Sequence, residues 1–384
     1  MARDQDVLGI GMVGYAFMGR AHSQAWRNVA SFFDLPCRPR MAAICGRDPD
    51  ALAAAAARLG WPATETDWKR LVQRDDVDLV DVCTPGSSHA EISIAALEAG
   101  KHVLCEKPLA NTVEEARAMA AAAERAAARG VRAMAGFNFR RVPAVALARE
   151  LVAAGRLGAI RHVRAAYLGA HLLDPEHPLI WRLQASEAGS GALGDLGAHA
   201  IDLAQYLAGD RIAGVSGLTE TFVRERPLPS GGGARGPVTV DDAAVFIARF
   251  AGGAVGSFEA SRFATGHDEG LRVELNGELG SLVWELGAFN ELRFFDATEE
   301  PATQGFRRIQ VTRSVHPYAA AWWPEGHSIG YEHTFTHEVR DLLEAIVAGR
   351  DPAPSFADGL QVQEVLDAVQ RSAATGSTWQ EVAP

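Results

Sequence analysis

Through the first 140 residues, short apolar runs alternate with stretches of helical character. The runs are VLGIGMV (7–13), MAAIC (41–45), VDLVDVCTP (77–85), KHVLCEKP (101–108) and VRAMAGFN (131–138). Between them lie helices over 18–30, 49–60, 67–72, 88–100 and 112–129; Gly60, Gly100 and Gly130 stand where three of them stop, supplying the left-handed residue that helix ends favour. Apolar strands separated by helices bury both faces, so they pair in parallel through right-handed crossovers. The predicted fold class is α/β, beginning with a doubly wound parallel Rossmann sheet.

Such a sheet needs a phosphate turn after its first strand, and LGIGMVGYAFMGRAH (8–22) offers two overlapping frames. Gly9, Gly11 and Gly14 spell an intact G-x-G-x-x-G, but the first two fall inside the strand. Gly14, Ala16 and Gly19 spell G-x-A-x-x-G at the turn itself, where the strand–turn–helix context is right. Gly14 allows the tight turn, Gly19 lets the helix pack close, and Ala16 adds one methyl where a pyrophosphate approaches. At the end of the second strand, Gly46-Arg47-Asp48 stands where an acid would bind an adenosine ribose. A small residue followed by arginine suits a 2′-phosphate and favours NADP. In the alternative, Arg47 stacks on adenine, Asp48 caps the next helix and NAD binds.

The chain carries 37 Lys+Arg against 48 Asp+Glu, a net charge of −11. Nucleic acid and anionic membrane are therefore not expected as partners. No apolar run approaches the roughly 18 residues of a membrane span, and MARDQDVLGI does not read as a signal peptide. A cytoplasmic address is expected. Cys37, Cys45, Cys83 and Cys105 show no C-x-x-C spacing and read as buried reduced thiols, so no metal is expected.

CEKPLA (105–110) ends the next-to-last strand of this series. Lys107 therefore points at the crevice outside the strand ends, where doubly wound sheets bind ligands. Pro108 keeps Lys107 extended, and the bond between them can be cis. GYAFMGRAH, CTP (83–85) with His89, CEKPLA and GSGALGDLGAHAIDLAQYL (189–207) follow in order. In these motifs the chain resembles the Gfo/Idh/MocA oxidoreductases over nearly its whole length. PLIWR…GSGALGD resembles the levoglucosan-type dehydrogenases of that family. The resemblance adds Phe17, Met18, Thr84, Pro85, His89, Glu106 and Asn138 to a coenzyme-binding set of Gly14, Ala16, Gly46, Arg47 and Lys107. It also turns Asn138 and Arg140 toward the crevice. Ala16 and Gly46 depart from the family pattern.

Beyond residue 141 a helix (142–155) leads to a strand (160–170), a helix (193–208), and strands over 213–224, 243–250, 254–262, 270–275, 280–285, 291–296 and 307–312. AGG (251–253) reads as a hairpin turn and SGGGARGP (230–237) as a flexible loop. Two helices end the chain, over 331–348 and 357–373. These runs predict an α+β domain built on a large, mainly antiparallel open sheet with helices on one face. The resemblance implies that another subunit covers the other face, in a homodimer or homotetramer. The expected domains are 1–140, binding dinucleotide, and 141–384, binding substrate and its own copies, with the C-terminal helices able to pack back on the first.

Asp195 and His199, four apart, share one helix face. A helix-terminal ion pair is the bland alternative, and a metal pair lacks a third ligand. With Lys107 they form the expected catalytic set for oxidising a sugar or cyclic polyol alcohol. His199 is the natural base, Lys107 stabilises the reacting oxygen, and Asp195 orients hydroxyls or the histidine. Which of His199 and Lys107 is the formal base stays open. Arg140, Trp181 and Arg182 are further substrate candidates, since tryptophan faces suit sugar rings and arginine supplies planar donors. Trp322, Trp323, His327 and Tyr331 lie in a loop-like stretch that could wall the pocket or a subunit contact, with plain structural packing the favoured reading. Two other classes stay open: a glycosidase or lyase using bound NAD without net turnover, and a non-catalytic sugar or nicotinamide sensor.

Overall fold

The computed structural model describes residues 7–229, 231 and 233–383. They form two compact units, one holding the chain up to Arg141 together with Ile329–Leu360, the other Val142–Ser328 with the residues from Gln361 on.

In the first unit, six parallel strands are ordered β3-β2-β1-β4-β5-β6. They are β1 (Val7–Val13), β2 (Arg38–Cys45), β3 (Thr64–Glu65), β4 (Leu79–Val82), β5 (His102–Glu106) and β6 (Ala133–Gly136). Helices α1 (Phe17–Phe32), α2 (Pro49–Leu59), α3 (Trp68–Gln73), α4 (His89–Glu98) and α5 (Val113–Ala127) connect them. The strand order reverses between β1 and β4, which puts the binding crevice at their carboxyl ends. Local chemistry fixes the helix limits. Asp48 caps α2 by accepting from the Asp50 and Ala51 amides, Gly60 ends it in the left-handed conformation, and Thr112 with Glu115 forms a capping box on α5.

Ile10, Met12, Leu79 and Leu104 are fully buried, each worth about 1.5–3 kcal/mol of burial. The helix labelled α9 below (Tyr331–Val347) adds Phe335, Val339, Leu342 and Leu343 to this same core, which is why Ile329–Leu360 belongs to the first unit.

In the second unit, α6 (Pro143–Ala153) precedes β7 (Ile160–Gly169); a short helix, α7 (Ala185–Ala188), a π-helical turn (Leu193–Gly197) and α8 (Ala198–Ala208) follow. The remaining elements are β8 (Ile212–Glu220), β9 (Glu225–Pro227), β10 (Arg235–Pro237), β11 (Ala243–Phe250), β12 (Val255–Ser261), β13 (Glu269–Gly277), β14 (Gly280–Glu285), β15 (Glu291–Asp296) and β16 (Arg307–Gln310). After α9 come α10 (Phe356–Ala374) and β17 (Gln380–Glu381). Nine strands form one sheet, β16-β15-β14-β13-β7-β12-β11-β8-β17, antiparallel except where β12 meets β7. Along β11, Ala244, Phe246, Ala248 and Phe250 are buried while Val245 and Ile247 face outward, the period-2 pattern of a sheet covered on one side.

Beyond the short β3, α7 and β17, which the sequence reading does not anticipate, three expected elements take another form. Strand 213–224 stops at Glu220 because the Asp242 carboxylate draws off the amides of Phe222 and Val223. Part of the loop expected over 230–237 is a strand, since Arg235–Pro237 pairs with Glu225–Pro227; residues 230 and 232 lie outside the described residues. The helix expected from 193 opens as a π-helical turn. No described helix is long and apolar enough to cross a membrane.

Candidate active site

The first unit builds a dinucleotide turn. Gly14 has φ of +106°, and a Cβ there would stand 2.6 Å from the Cys83 carbonyl oxygen. A Cβ at Gly19 would stand 2.3 Å from the Gly14 oxygen. Only glycine fits at either place. Ala16 is the N-cap residue of α1 and offers no side-chain cap, and no acid occupies the first turn, so the positive end of the helix is open to an anion. Phe17 is exposed and its ring stacks on Tyr331 at 6.4 Å, while Met18 packs against the core; both lie in the first turn of α1.

At the end of β2, a Cβ on Gly46 would fall 2.0 Å from Tyr15 Cε1. The space beside Gly46 that a side chain would fill is occupied by the Tyr15 ring. Arg47 is exposed, and Asp48 is spent on capping α2.

The strand-end motifs are tied from behind. His89 is buried, with Nδ1 3.0 Å from the Pro108 oxygen and Nε2 2.9 Å from the Thr84 oxygen. Burial pulls its pKa down, but nearby Cys105 and the two carbonyls carry it to about 9. It thus joins the turn after β4, which holds Thr84 and Pro85, to the turn after β5. Glu106 is buried; Oε1 meets His22 Nε2 at 2.9 Å and Oε2 accepts the Lys107 amide at 3.1 Å. His22 Nδ1 lies 3.0 Å from both Asp81 oxygens, and Trp26 Nε1 donates to that carboxylate at 2.7 Å. Burial works against the imidazolium, yet Asp81 and Cys83 hold its pKa well above the ordinary value. The polar atoms of His22, Asp81 and Cys83 lie within 4.8 Å of one another, with His22 and Cys83 both bonded to Asp81. Lys107 itself is half-buried and precedes a cis bond to Pro108.

Asn138 gives its Nδ2 to Thr334 Oγ1 at 2.8 Å, and Arg140 is buried with Nη2 3.8 Å from Asp358 Oδ1. Tyr331 opens α9 and joins Phe17, Phe139 and Phe335 in an aromatic cluster.

The second unit holds the other candidates. Asp241 reaches across from the foot of β11 and accepts the Gly191 and Leu193 amides, each at 2.7 Å. A Cβ at Gly191 would lie 1.7 Å from the main-chain oxygen of Asp241, so glycine is required for the two backbones to approach this closely. Burial raises the Asp241 carboxyl above its ordinary value, against the pull of those amides. The turn so held opens into the π-helical segment carrying Asp195, a local form often met at functional sites. Asp195 Oδ2 receives Arg262 Nη2 at 3.0 Å. His199 is buried, its ring 5.9 Å from that of Tyr167 on β7. Trp181 is 36% exposed, and the Arg182 guanidinium covers its ring at 4.4 Å, so one of its two faces is already stacked. Trp322 and Trp323 pack on each other, and His327 bonds the Pro324 oxygen.

Sequence reasoning missed Arg262, Asp241 and His171. The signal for Arg262 was a charged residue just past β12 in the phase that the strand buries, whereas Asp241 lies outside the buried phase of β11 and carried no such signal. His171 stands beside this group; partial desolvation, then the charges of Arg262 and Arg182, lower its pKa despite Asp195.

The NAD-binding Rossmann model of the GFO/IDH/MocA oxidoreductases matches residues 8–136, and the C-terminal domain model of that family matches 145–283. The chain belongs to the Gfo/Idh/MocA oxidoreductase family. Members of this family that it resembles include levoglucosan dehydrogenase of Pseudarthrobacter phenanthrenivorans, 42% identical with 98% of each chain covered. A solved oxidoreductase domain protein from Kribbella flavida superposes with a TM-score of 0.97 at 64% identity, covering 99% of this chain and 100% of that one. A levoglucosan dehydrogenase structure in complex with NADH and L-sorbose gives 0.94 at 42% identity, covering 99% and 100%. As a Gfo/Idh/MocA enzyme the chain is an NAD-binding oxidoreductase of sugar hydroxyls.

Proposed function

We propose that this enzyme transfers a hydride between a hydroxyl-bearing carbon of a neutral sugar or cyclic polyol and a nicotinamide dinucleotide. The observation that carries the reading is the joint presence of three things: the open N-terminus of α1 beyond Gly14, Lys107 on its braced turn, and Asp195 with His199 on the π-to-α segment. Gly14 and Ala16 with the first turn of α1 suit the pyrophosphate, and Gly46, Arg47, Thr84 and Pro85 suit the rest of the coenzyme. The bound nicotinamide supplies the hydride acceptor. His199 accepts the alcohol proton on its imidazole, and the Lys107 ammonium hydrogen-bonds the reacting oxygen as negative charge grows there. Asp195 accepts hydrogen bonds from substrate hydroxyls, and the uncovered face of Trp181 offers an apolar platform.

Levoglucosan is the first substrate to try, because the dehydrogenase that resembles this chain end to end acts on it. Arg47 is the guanidinium that would meet a 2′-phosphate and supports NADP; the Tyr15 ring over Gly46 and the NADH held by levoglucosan dehydrogenase support NAD. Val245, Ile247, Leu218 and Val255, exposed on the sheet face away from its helices, are the contact for a second copy.

The test is coenzyme reduction followed by absorbance with a panel of anhydrosugars, aldoses and cyclitols. Lys107→Met and His199→Asn should each lower turnover by about 10²- to 10⁴-fold. Near-normal rates in both variants remove the assignment. Bond cleavage without net reduction would favour the glycosidase or lyase class.

A further inference from the structure

Arg262 is about 1% exposed, follows the last residue of β12, and lies far along the chain from the segments it touches. Nη2 donates to Asp195 Oδ2 at 3.0 Å, and Nη1 donates to the main-chain oxygen of Arg182 at 3.3 Å. Its own backbone is held on both sides, with its amide donating to the Asp242 oxygen at 3.0 Å and its oxygen accepting the Leu172 amide at 3.4 Å. A guanidinium this deeply buried is costly unless its partners are well placed, and both of these belong to segments already argued to meet the sugar.

We propose that Arg262 is the positioning residue of the sugar site: one buried fork fixes the Asp195 carboxylate and the Trp181–Arg182 turn relative to each other. The proposal rests on the reading that Asp195 meets the substrate hydroxyls. With Oδ2 held by the Arg262 guanidinium, the Asp195 carboxylate offers acceptor oxygens, so it selects hydroxyl donors. The second arm of the fork sets the height of the Trp181–Leu183 turn, whose Leu183 is buried among Leu172, Leu179, Val238 and Val240. Arg262 acts through these two groups and need not touch the sugar. Lysine has a single ammonium, lacks the planar fork and so cannot reproduce both bonds in one geometry.

Four variants test this: Arg262→Met, Arg262→Lys, Asp195→Asn and the double variant Asp195→Asn/Arg262→Met, each assayed for the Michaelis constants of sugar and coenzyme. Arg262→Met should lower kcat/KM for the sugar about 10- to 100-fold, mainly by raising its KM, the usual worth of a charged hydrogen bond. Coenzyme KM should stay within about twofold, and Arg262→Lys should recover part of the loss. The double variant should lose less than the product of the two single losses, the part carried through Asp195 being counted once. Losses that multiply in the double variant overturn the proposal. So does an unchanged sugar KM in Arg262→Met when Asp195→Asn raises it. An Asp195→Asn enzyme with unaltered sugar kinetics overturns the underlying reading of Asp195 instead. If Arg262→Met does not fold, Arg262→Lys and its double with Asp195→Asn complete the same cycle.

Discussion

His22 Nε2 lies 2.9 Å from Glu106 Oε1, and both side chains are buried. One imidazole on α1 thus carries the acid of the E-K-P turn, and through Nδ1 it also holds Asp81 on β4. Glu106 in turn fixes the backbone amide of Lys107. His22→Leu leaves two buried carboxylates facing no cation, and the expected loss of stability is about 3–5 kcal/mol. Chemical denaturation of the variant and the parent measures it; a loss under about 1 kcal/mol would show that the ring is not the shared partner.

Glu338 on α9 is fully buried, and neither carboxylate oxygen has a hydrogen-bond partner among the described residues. Burial lifts its pKa from 4.5 to about 8. A raised folded value means the proton is held more tightly in the folded chain, so this contribution is complete below 4.5 and is lost as pH climbs through about 8. Glu338→Gln, which mimics the protonated acid, should gain stability over the parent across that window, by on the order of a few kcal/mol at its upper end. Denaturation of both proteins across the window reads the difference directly. A parent-minus-variant difference that does not change with pH contradicts the assignment. His22, also raised, adds stability that is present below 6.5 and lost on the alkaline side in both proteins.

Arg47 is exposed at the end of β2, beside a glycine whose missing side chain is replaced by the Tyr15 ring. If it pairs with a 2′-phosphate, Arg47→Ala should raise the NADP Michaelis constant about tenfold or more and leave that for NAD within about twofold, as expected for loss of one charged hydrogen-bonding group. Equal behaviour of the two coenzymes assigns the chain to NAD and leaves Arg47 as a surface residue.

Ile247 is 57% exposed, with Val245, Leu218 and Val255 on the same sheet face. Glu259, Ser257 and Arg249 lie between these apolar side chains on the same face, and exposed apolar groups in such a cluster are what a contact between copies would bury. Ile247→Glu should lower the oligomeric mass seen by light scattering while leaving far-UV dichroism unchanged. An unaltered mass shows that this face makes no contact between copies.

The parallel sheet was legible because strands buried on both faces read as continuous apolar runs, and because Asp48, Gly60 and Thr112 are strong local punctuation. The phosphate turn was legible in its position, not in its spelling: Gly9 and Gly11 match a motif but sit within β1. Other site features were hidden because long-range partners decide them. His89 and Glu106 read as coenzyme contacts, yet their polar atoms face Thr84, Pro108, His22 and the Lys107 amide. The π-helical turn at Leu193–Gly197 depends on Asp241, some 50 residues away along the chain. Gly46 suggested space, and only the fold could put Tyr15 there.

The most direct test of the central claim is the fate of the carbon-bound hydrogen. A sugar deuterated at its hydroxyl-bearing carbons is turned over with oxidised coenzyme, and the reduced coenzyme is weighed by mass spectrometry. Direct hydride transfer predicts one deuterium in each molecule of reduced coenzyme, in step with each molecule of ketone formed. Product formed without labelled reduced coenzyme, or with the label lost to water, would contradict it.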